Sequence, residues 1–377
     1  MADLLIRGAK VLGPAGFEAG DLAIVDGVIV ADDRPRGPVL DAAGLVAAPG
    51  FVDLQCNGGV GIDLAGEPER LWELAAALPR WGVTAWLPTI VTGPPTVTER
   101  ALATLAGGPP PGWAGAIPLG LHLEGPFLAH GHRGAHRPEH LRRPELAAVD
   151  GWGRDAGVAM VTLAPELPGA LEVIEALAAR DVAVSLGHSG ATAAQARAGI
   201  DAGATWVTHL WNAMAPLHHR EPGLVGVALT DERVRAGVIA DGIHLDPTVV
   251  ALTAGALGDR LVLVTDAVSA LGLPGGRHRL GTVEVELGEG RGVRLADGTL
   301  AGSDLAMDQA VRNLRAFSGC PVERALAAAS GAPAAVLGDA GRGALEAGRQ
   351  GDVVLLDDDL EVLVTVVAGA VVHDVRP

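Results

Sequence analysis

Apolar positions follow two different rhythms along the chain. In the first 48 residues the apolar runs are short and broken by turn signals: LLIRGAKVLG, DLAIVDGVIVAD and LVAAPG. Asp26-Gly27, inside the second run, suits the positive φ angles of a two-residue hairpin turn. The C-terminal stretch GDVVLLDDDLEVLVTVVAGAVVHD has the same texture. The two ends are expected to pair with each other in one small β unit.

Between them, longer apolar runs alternate with helical stretches. The runs are GFVDLQ (50–55), VTAWLP (83–88), AIPLGLHLE (116–124), VAMVTLAP (158–165), VAVSLGH (182–188), TWVTHL (205–210), AGVIADG (236–242) and LVLVTDA (261–267). Segments such as RLWELAAALPRWG, GALEVIEALAARD and TAAQARAGIDAG lie between most of them and have helical spacing. Uninterrupted apolar strands alternating with helices predict a parallel sheet covered on both faces. Eight such units predict an α/β chain built on a (β/α)8 TIM-like barrel. A doubly wound open sheet is the alternative, and the lack of Gly-x-Gly-x-x-Gly after the first run counts against it. RHRLGTVEVELGEGRGVRLADGTLAGS reads as a β-hairpin insertion near 275–300. Ser303 or Asp304 would then cap a helix through LAMDQAVRNLRAFSG. The expected organisation is a small β-sandwich domain from 1–48 and 345–377 around a barrel of 49–344.

Composition narrows the function. Of the 377 residues, 49% are hydrophobic and 19% charged, which fits a well-buried enzyme. The formal net charge of −17 argues against nucleic acid or an anionic membrane surface as partner. It leaves room for a small anionic substrate beside a local arginine. Two cysteines, Cys56 and Cys320, make no disulfide framework, so a reducing cytoplasm is the expected location. The N-terminal segment lacks the apolar core of a signal peptide, and no apolar run is long enough to span a membrane.

A barrel gathers its chemistry at the C-terminal ends of its strands. The third run ends in Glu124, the fifth in His188, the sixth includes His209, and the eighth ends near Asp266. Two histidines and a glutamate form a three-ligand set with an open position for water, as in catalytic zinc sites. A divalent ion lowers the pKa of such a water to about 7. A neighbouring aspartate can take its proton and pass it to a leaving amine. Each residue alone has a plainer explanation: a hydrogen-bonded histidine, Glu124 facing a helix N-terminus, or Asp266 capping a helix. Four acceptors at the mouth ends of four strands favour a metal site and amide hydrolysis.

GLHLEGPF (120–127), SLGHS (185–189), THLWNAM (208–214), REPG (220–223), ADGIHL (240–245), VTDA (264–267) and LAGSDLAMD (300–308) occur in this order. Together they closely resemble the N-acetylglucosamine-6-phosphate deacetylases of the amidohydrolase superfamily. THLWNAM followed by REPG is the most specific part. The resemblance implies one divalent ion per subunit, zinc or ferrous iron, held by Glu124, His188 and His209. It implies Asp266 as general base and acid, and His136 as donor to the acetyl carbonyl oxygen. It implies that Asn212, Ala213, His244 and Arg220 hold the sugar phosphate, with Arg220 reaching in from the neighbouring subunit of a homodimer. N-acetylgalactosamine 6-phosphate is the nearest alternative substrate. A metal-free scaffold is a further alternative, which the intact ligand set disfavours.

The tip of the first barrel run carries Gln55 and Asn57 where a binuclear site would want two histidines. Both are expected to hydrogen-bond around a single metal. Alternation points Cys56 away from them, which disfavours a thiolate ligand. Of the remaining residues, His122 is expected to be core or hydrogen-bonded. His130, His132, His218 and His219 are expected to be solvated. Glu166 is expected to make a structural hydrogen bond, Trp211 to wall the sugar pocket, and Cys320 to be buried.

Overall fold

The structure is a computed structural model; it describes residues 3–31, 37–281 and 283–376. Asp32, at the end of the second terminal run, and Thr282, inside the inserted hairpin, lie outside the described residues.

Eight parallel strands form the central barrel. In chain order they are β1 (Phe51–Cys56), β2 (Val83–Val91), β3 (Leu121–Glu124), β4 (Val158–Leu163), β5 (Ala183–Leu186), β6 (Trp206–Val207), β7 (Arg235–Val238) and β8 (Leu261–Leu263). Consecutive strands are neighbours throughout. The seam between β1 and β8 is closed at the mouth end. The Asp266 amide donates to the Gln55 carbonyl at 2.8 Å, and a parallel bridge joins Cys56 to Ala267. Asp53 adds to the seam by accepting from the Thr265 hydroxyl at 2.5 Å. The eight-unit barrel replaces the open-sheet alternative. Strands β1 and β4 are buried at every position, as a sheet covered on both faces requires.

Several strands stop earlier than their apolar runs. Strand β6 has only Trp206 and Val207, because His209 takes a φ of +26° and turns the chain out of the ladder. The helix after β5 starts where the capping chemistry places it. Thr192 and Gln195 form a reciprocal capping box at Ala193–Asp201. The helix Met307–Ser318 corrects an expectation. Its N-cap is Ala306, and neither Ser303 nor Asp304 caps it. Ser303 is drawn to the barrel instead, donating to the Thr265 carbonyl at 2.5 Å and accepting from the Leu305 amide at 3.0 Å.

The chain ends meet in one sheet of eight strands. Leu4–Gly13 pairs with Gly16–Val25 and Val46–Pro49, and Val46–Pro49 pairs with Val353–Leu356. Val362–Val367 and Ala370–Asp374 complete that side. Asp26 and Gly27 adopt φ of 51° and 80° between Gly16–Val25 and Val28–Val30, the hairpin turn expected there. Alternation in Val353–Leu356 serves two cores. Val353 and Leu355 pack into the small sheet's own core, while Val354 and Leu356 pack against the barrel. The inserted segment is a three-stranded antiparallel sheet, Gly276–Leu280, Val283–Gly288 and Gly292–Arg294, beside the barrel mouth. Among the described residues no helix is long and apolar enough to cross a membrane.

Candidate active site

Three of the residues that end the strands share a backbone feature. His188, His209 and Asp266 adopt φ of 48°, 26° and 49°. This left-handed region is sparsely used by residues with a Cβ and costs on the order of 1 kcal/mol or more each. The reversal takes each residue out of its strand and leaves its side chain at the mouth.

A single cavity of about 340 Å³ is lined by Asn57, Glu124, His136, His188, His209, Asn212, Ala213, His244 and Asp266. Residues expected from six different strand ends and loops are therefore brought together. Gln55 lies just beneath, in hydrogen-bond contact with two of them. Arg220 is not among the lining residues; it sits on an exposed loop beside His218 and His219.

At the floor, the ligand atoms offered by Glu124, His188 and His209 lie within 4.8 Å of one another, all from buried side chains. Glu124 Oε1 is 3.2 Å from His188 Nε2 and 3.1 Å from His209 Nε2, and the two nitrogens are 3.1 Å apart. His188 Nδ1 donates to the His132 carbonyl at 2.9 Å. A neutral His188 therefore presents only a lone pair at Nε2, facing a carboxylate oxygen that also only accepts. Protonating both rings instead would set two imidazolium ions 3.1 Å apart. A divalent cation among the three atoms removes either conflict. Ligand atoms of a tetrahedral zinc at 2.0–2.1 Å would stand about 3.3 Å apart, so the spacing fits. With no cation between them, burial works against ionisation of Glu124, and Nε2–H donors on His188 and His209 would be what outweighs it and holds the carboxyl well below the usual range. Burial also disfavours protonation of His209, but the Glu124 hydrogen bond and charge prevail and raise its pKa.

Asp266 stands beside this cluster. Burial, then the charge of Glu124, lifts its carboxyl to about 6. Asn57 Nδ2 donates to Asp266 Oδ1 at 2.7 Å. Gln55 Nε2 donates to the same oxygen at 3.1 Å and to Glu124 Oε1 at 3.0 Å. The two amides thus tie the strand tip to both carboxylates. Cys56, between them, is fully buried with Sγ 3.5 Å from the Gly58 carbonyl, and burial pushes its thiol up. It lies outside the ligand cluster.

His136 is oriented from behind. The Thr92 amide donates to its Nδ1 at 3.3 Å, which leaves the proton on Nε2, 3.8 Å from Glu124 Oε2. Burial, then the charge of His188, pulls its pKa down to about 3, so the ring is a neutral donor. His244 is oriented by Asp241. Its Nδ1 is 2.6 Å from Asp241 Oδ2, and Asp241 Oδ1 accepts from the Ile243 and His244 amides.

Thr92 was not marked by sequence reasoning, while Asp241 and residues 300–302 of the cavity lining entered only as parts of the ADGIHL and LAGSDLAMD motifs, with no role attached. Thr92 acts through its backbone, which leaves no residue-type signal. Asp241 sits in ADGIHL and was legible only as a carboxylate three positions before His244. Gly302 lines the cavity with φ of 65°, and a Cβ there would come within 2.3 Å of Val268.

Other expectations meet mixed outcomes. His122 is hydrogen-bonded in the core, Nε2 to Thr162 Oγ1 at 2.7 Å and Nδ1 to the Leu54 carbonyl at 3.0 Å. Glu166 holds the loop after His188, accepting from Ser189 Oγ at 2.7 Å and the Gly190 amide at 2.6 Å. His130, His218 and His219 are exposed and Cys320 is buried. Two expectations are corrected. His132 is half-buried and lines the cavity, with its carbonyl fixing His188. Trp211, at φ 82°, turns away from the cavity and donates its Nε1 to Thr253 Oγ1 at 2.9 Å.

Comparison with known proteins places this geometry in a family. The profile described as "Amidohydrolase family" matches residues 46–372. N-acetylglucosamine-6-phosphate deacetylase of Homo sapiens is 42% identical over 98% of this chain and 91% of its own length. N-acetylgalactosamine-6-phosphate deacetylase of Escherichia coli O157:H7 is 40% identical over 95% of this chain and 96% of its own. The solved structure of a mutant N-acetyl-D-glucosamine-6-phosphate deacetylase from Mycobacterium smegmatis, in complex with N-acetyl-D-glucosamine-6-phosphate, superposes with a TM-score of 0.89. It is 34% identical and covers 99% of this chain and 100% of its own. The chain belongs to the amidohydrolase family, within which it groups with the N-acetylglucosamine-6-phosphate deacetylases.

Proposed function

We propose that the chain hydrolyses the acetamide of N-acetylglucosamine 6-phosphate, giving glucosamine 6-phosphate and acetate. The observation that carries this is the convergence of a three-ligand cluster, a raised-pKa carboxyl and a neutral histidine donor on one cavity. Glu124, His188 and His209 would hold a divalent ion, zinc or ferrous iron. When bound, that ion polarises the carbonyl and makes water a better nucleophile at neutral pH.

The chain's own residues do the rest. Asp266 accepts the proton of the attacking water and delivers it to the nitrogen as the C–N bond breaks. Gln55 and Asn57 hold Asp266 Oδ1 in place during both transfers. His136 Nε2–H donates to the carbonyl oxygen as negative charge grows there. Asn212, Ala213 and His244 are assigned to the sugar phosphate.

The amides of Gln55 and Asn57 support a count of one metal. Their NH2 groups point at Asp266, and their carbonyl oxygens have no partner in the structure. Turning either amide over would set an oxygen against the carboxylate. What these amides present to the two carboxylates is N–H donors, not the lone pairs a second cation would need there.

No lysine or arginine lines the cavity among the described residues. A guanidinium suits a phosphate dianion, so we assign Arg220 to the cavity of a neighbouring subunit in a homodimer, where its planar fork would grip phosphate. The division into a β-sandwich domain of 1–48 and 345–377 and a barrel of 49–344 is part of the same proposal, as is a cytoplasmic location. The test is metal analysis of the purified protein together with acetate release from both 6-phosphate epimers. Turnover with N-acetylglucosamine 6-phosphate and about one metal per chain are expected. No release from either epimer by metal-loaded protein refutes the proposal. A preference for the galacto epimer, the substrate named for the Escherichia coli relative, reassigns the substrate alone.

A further inference from the structure

A second cavity, of about 240 Å³, lies against the first. The two share Val91, Ala135, His136 and Leu280 in their linings. Beyond that wall the second cavity is bounded by Pro94, Val97 and Val283. Arg100, at its edge, is already held by Glu69 through contacts of 2.6 and 2.7 Å. Thr92, Arg137 and His140 also line it, yet the surface facing the space next to His136 is more apolar than polar.

The planar carbonyl carbon of an amide carries three groups: oxygen, nitrogen and the acyl substituent. In the proposed deacetylation, on which this inference rests, the oxygen lies at His136 Nε2 and the nitrogen toward Asp266. The sugar continues from the nitrogen toward Asn212 and His244. The acyl substituent takes the third direction, which we place against the part of the shared wall formed by Val91, Ala135 and Leu280. The geometry points to the second cavity as an acyl-chain pocket. The chain would therefore hydrolyse straight-chain N-propionyl and N-butyryl derivatives of the same amino-sugar 6-phosphate as well as the N-acetyl compound. The balance is that of any amide hydrolysis. Water adds to the carbonyl carbon, the C–N bond breaks, Asp266 returns the proton to nitrogen, and the acyl group leaves as a carboxylate.

The experiment measures amine release from N-acetyl-, N-propionyl- and N-butyryl-glucosamine 6-phosphate by the metal-loaded protein, by Val97→Phe and by Val97→Ala. Val97 touches the second cavity alone and has no part in the chemistry. Wild-type kcat/KM for the butyryl compound should lie within about tenfold of that for acetyl, because a fitted apolar pocket gains from each added methylene. Val97→Phe fills the pocket and should lower the butyryl value by about tenfold or more, with the acetyl value unchanged. Val97→Ala, which cannot overpack, should raise the butyryl-to-acetyl ratio. A wild-type butyryl value more than about tenfold below the acetyl value overturns the inference. So does an equal loss on both substrates in Val97→Phe with no change of ratio in Val97→Ala. Absence of acetyl turnover would instead sink the deacetylase reading and take this inference with it.

Discussion

Replacing Asn57 with leucine isolates the support that the strand tip gives to the catalytic carboxylate. Asn57 Nδ2 makes the shorter of the two side-chain amide contacts on Asp266 Oδ1, 2.7 Å against 3.1 Å from Gln55. It is 3% exposed, so no water replaces it easily. Leucine keeps the branched shape, with somewhat larger methyl groups, and removes the donor. A hydrogen bond to a charged group is worth about 1.5–3 kcal/mol. At about 1.4 kcal/mol per pKa unit, its loss raises the Asp266 pKa by about one to two units. The sign follows from the role. Asp266 works as a base only when ionised, so activity is lost as pH falls through its pKa. In the wild type that carboxyl stands at about 6, raised by burial and by the Glu124 charge. A bound cation offsets the Glu124 charge, so the acid limb of kcat/KM should fall at or below pH 6. In Asn57→Leu the limb should move up by about one to two units, while the high-pH plateau stays near wild type. The assay is kcat/KM against pH with metal content measured in parallel. An acid limb that does not move, with metal retained, would refute the proposed support of Asp266 by Asn57.

Three further outcomes are expected. Asp266→Asn should keep its metal by elemental analysis and lose about 10²–10⁴-fold in kcat; near-normal turnover would remove Asp266 from the proton transfers. Stripping the metal with a chelator should lower the midpoint of thermal unfolding by about 5 °C, since a ligand at a thousandfold its Kd contributes about 4 kcal/mol; an unchanged midpoint in a protein shown to have lost metal would contradict the site. Arg220→Met should raise KM for the phosphorylated sugar by about 10–100-fold with little change in kcat. Co-expressing Arg220→Met with Asp266→Asn should then restore activity, because a mixed dimer holds one site with both groups intact. No recovery would mean that Arg220 serves its own chain.

Much of the barrel was legible because burial on both faces forces uninterrupted apolar runs, and all eight runs overlap barrel strands. Strand ends were harder to read. The runs through His188 and His209 continue past the ladder because the apolar pattern records burial, while φ reversal at those residues ends the pairing. Trp211 was misread for a related reason. Its place in THLWNAM says that it is near the site, but the φ of 82° that turns it toward Thr253 leaves no mark in residue type.

The candidate site separates into what side-chain chemistry announces and what the backbone supplies. Glu124, His188, His209 and Asp266 each carry a group that cannot be buried without a partner, so their positions at strand ends ask for an explanation. Their orientation comes from groups that every residue has. The His132 carbonyl fixes one imidazole, and the Thr92 amide fixes another. Either group would serve as well from almost any residue, so composition and spacing are silent about them. Gln55 and Asn57 are the intermediate case. Their amides announce hydrogen bonding, but which atom faces the site depends on a carboxylate more than 200 residues away. The difference between a tip that binds a cation and one that braces a base is therefore a property of the fold. A substitution that swaps an imidazole for an amide there changes a lone pair facing the site into a donor, without altering the strand that carries it.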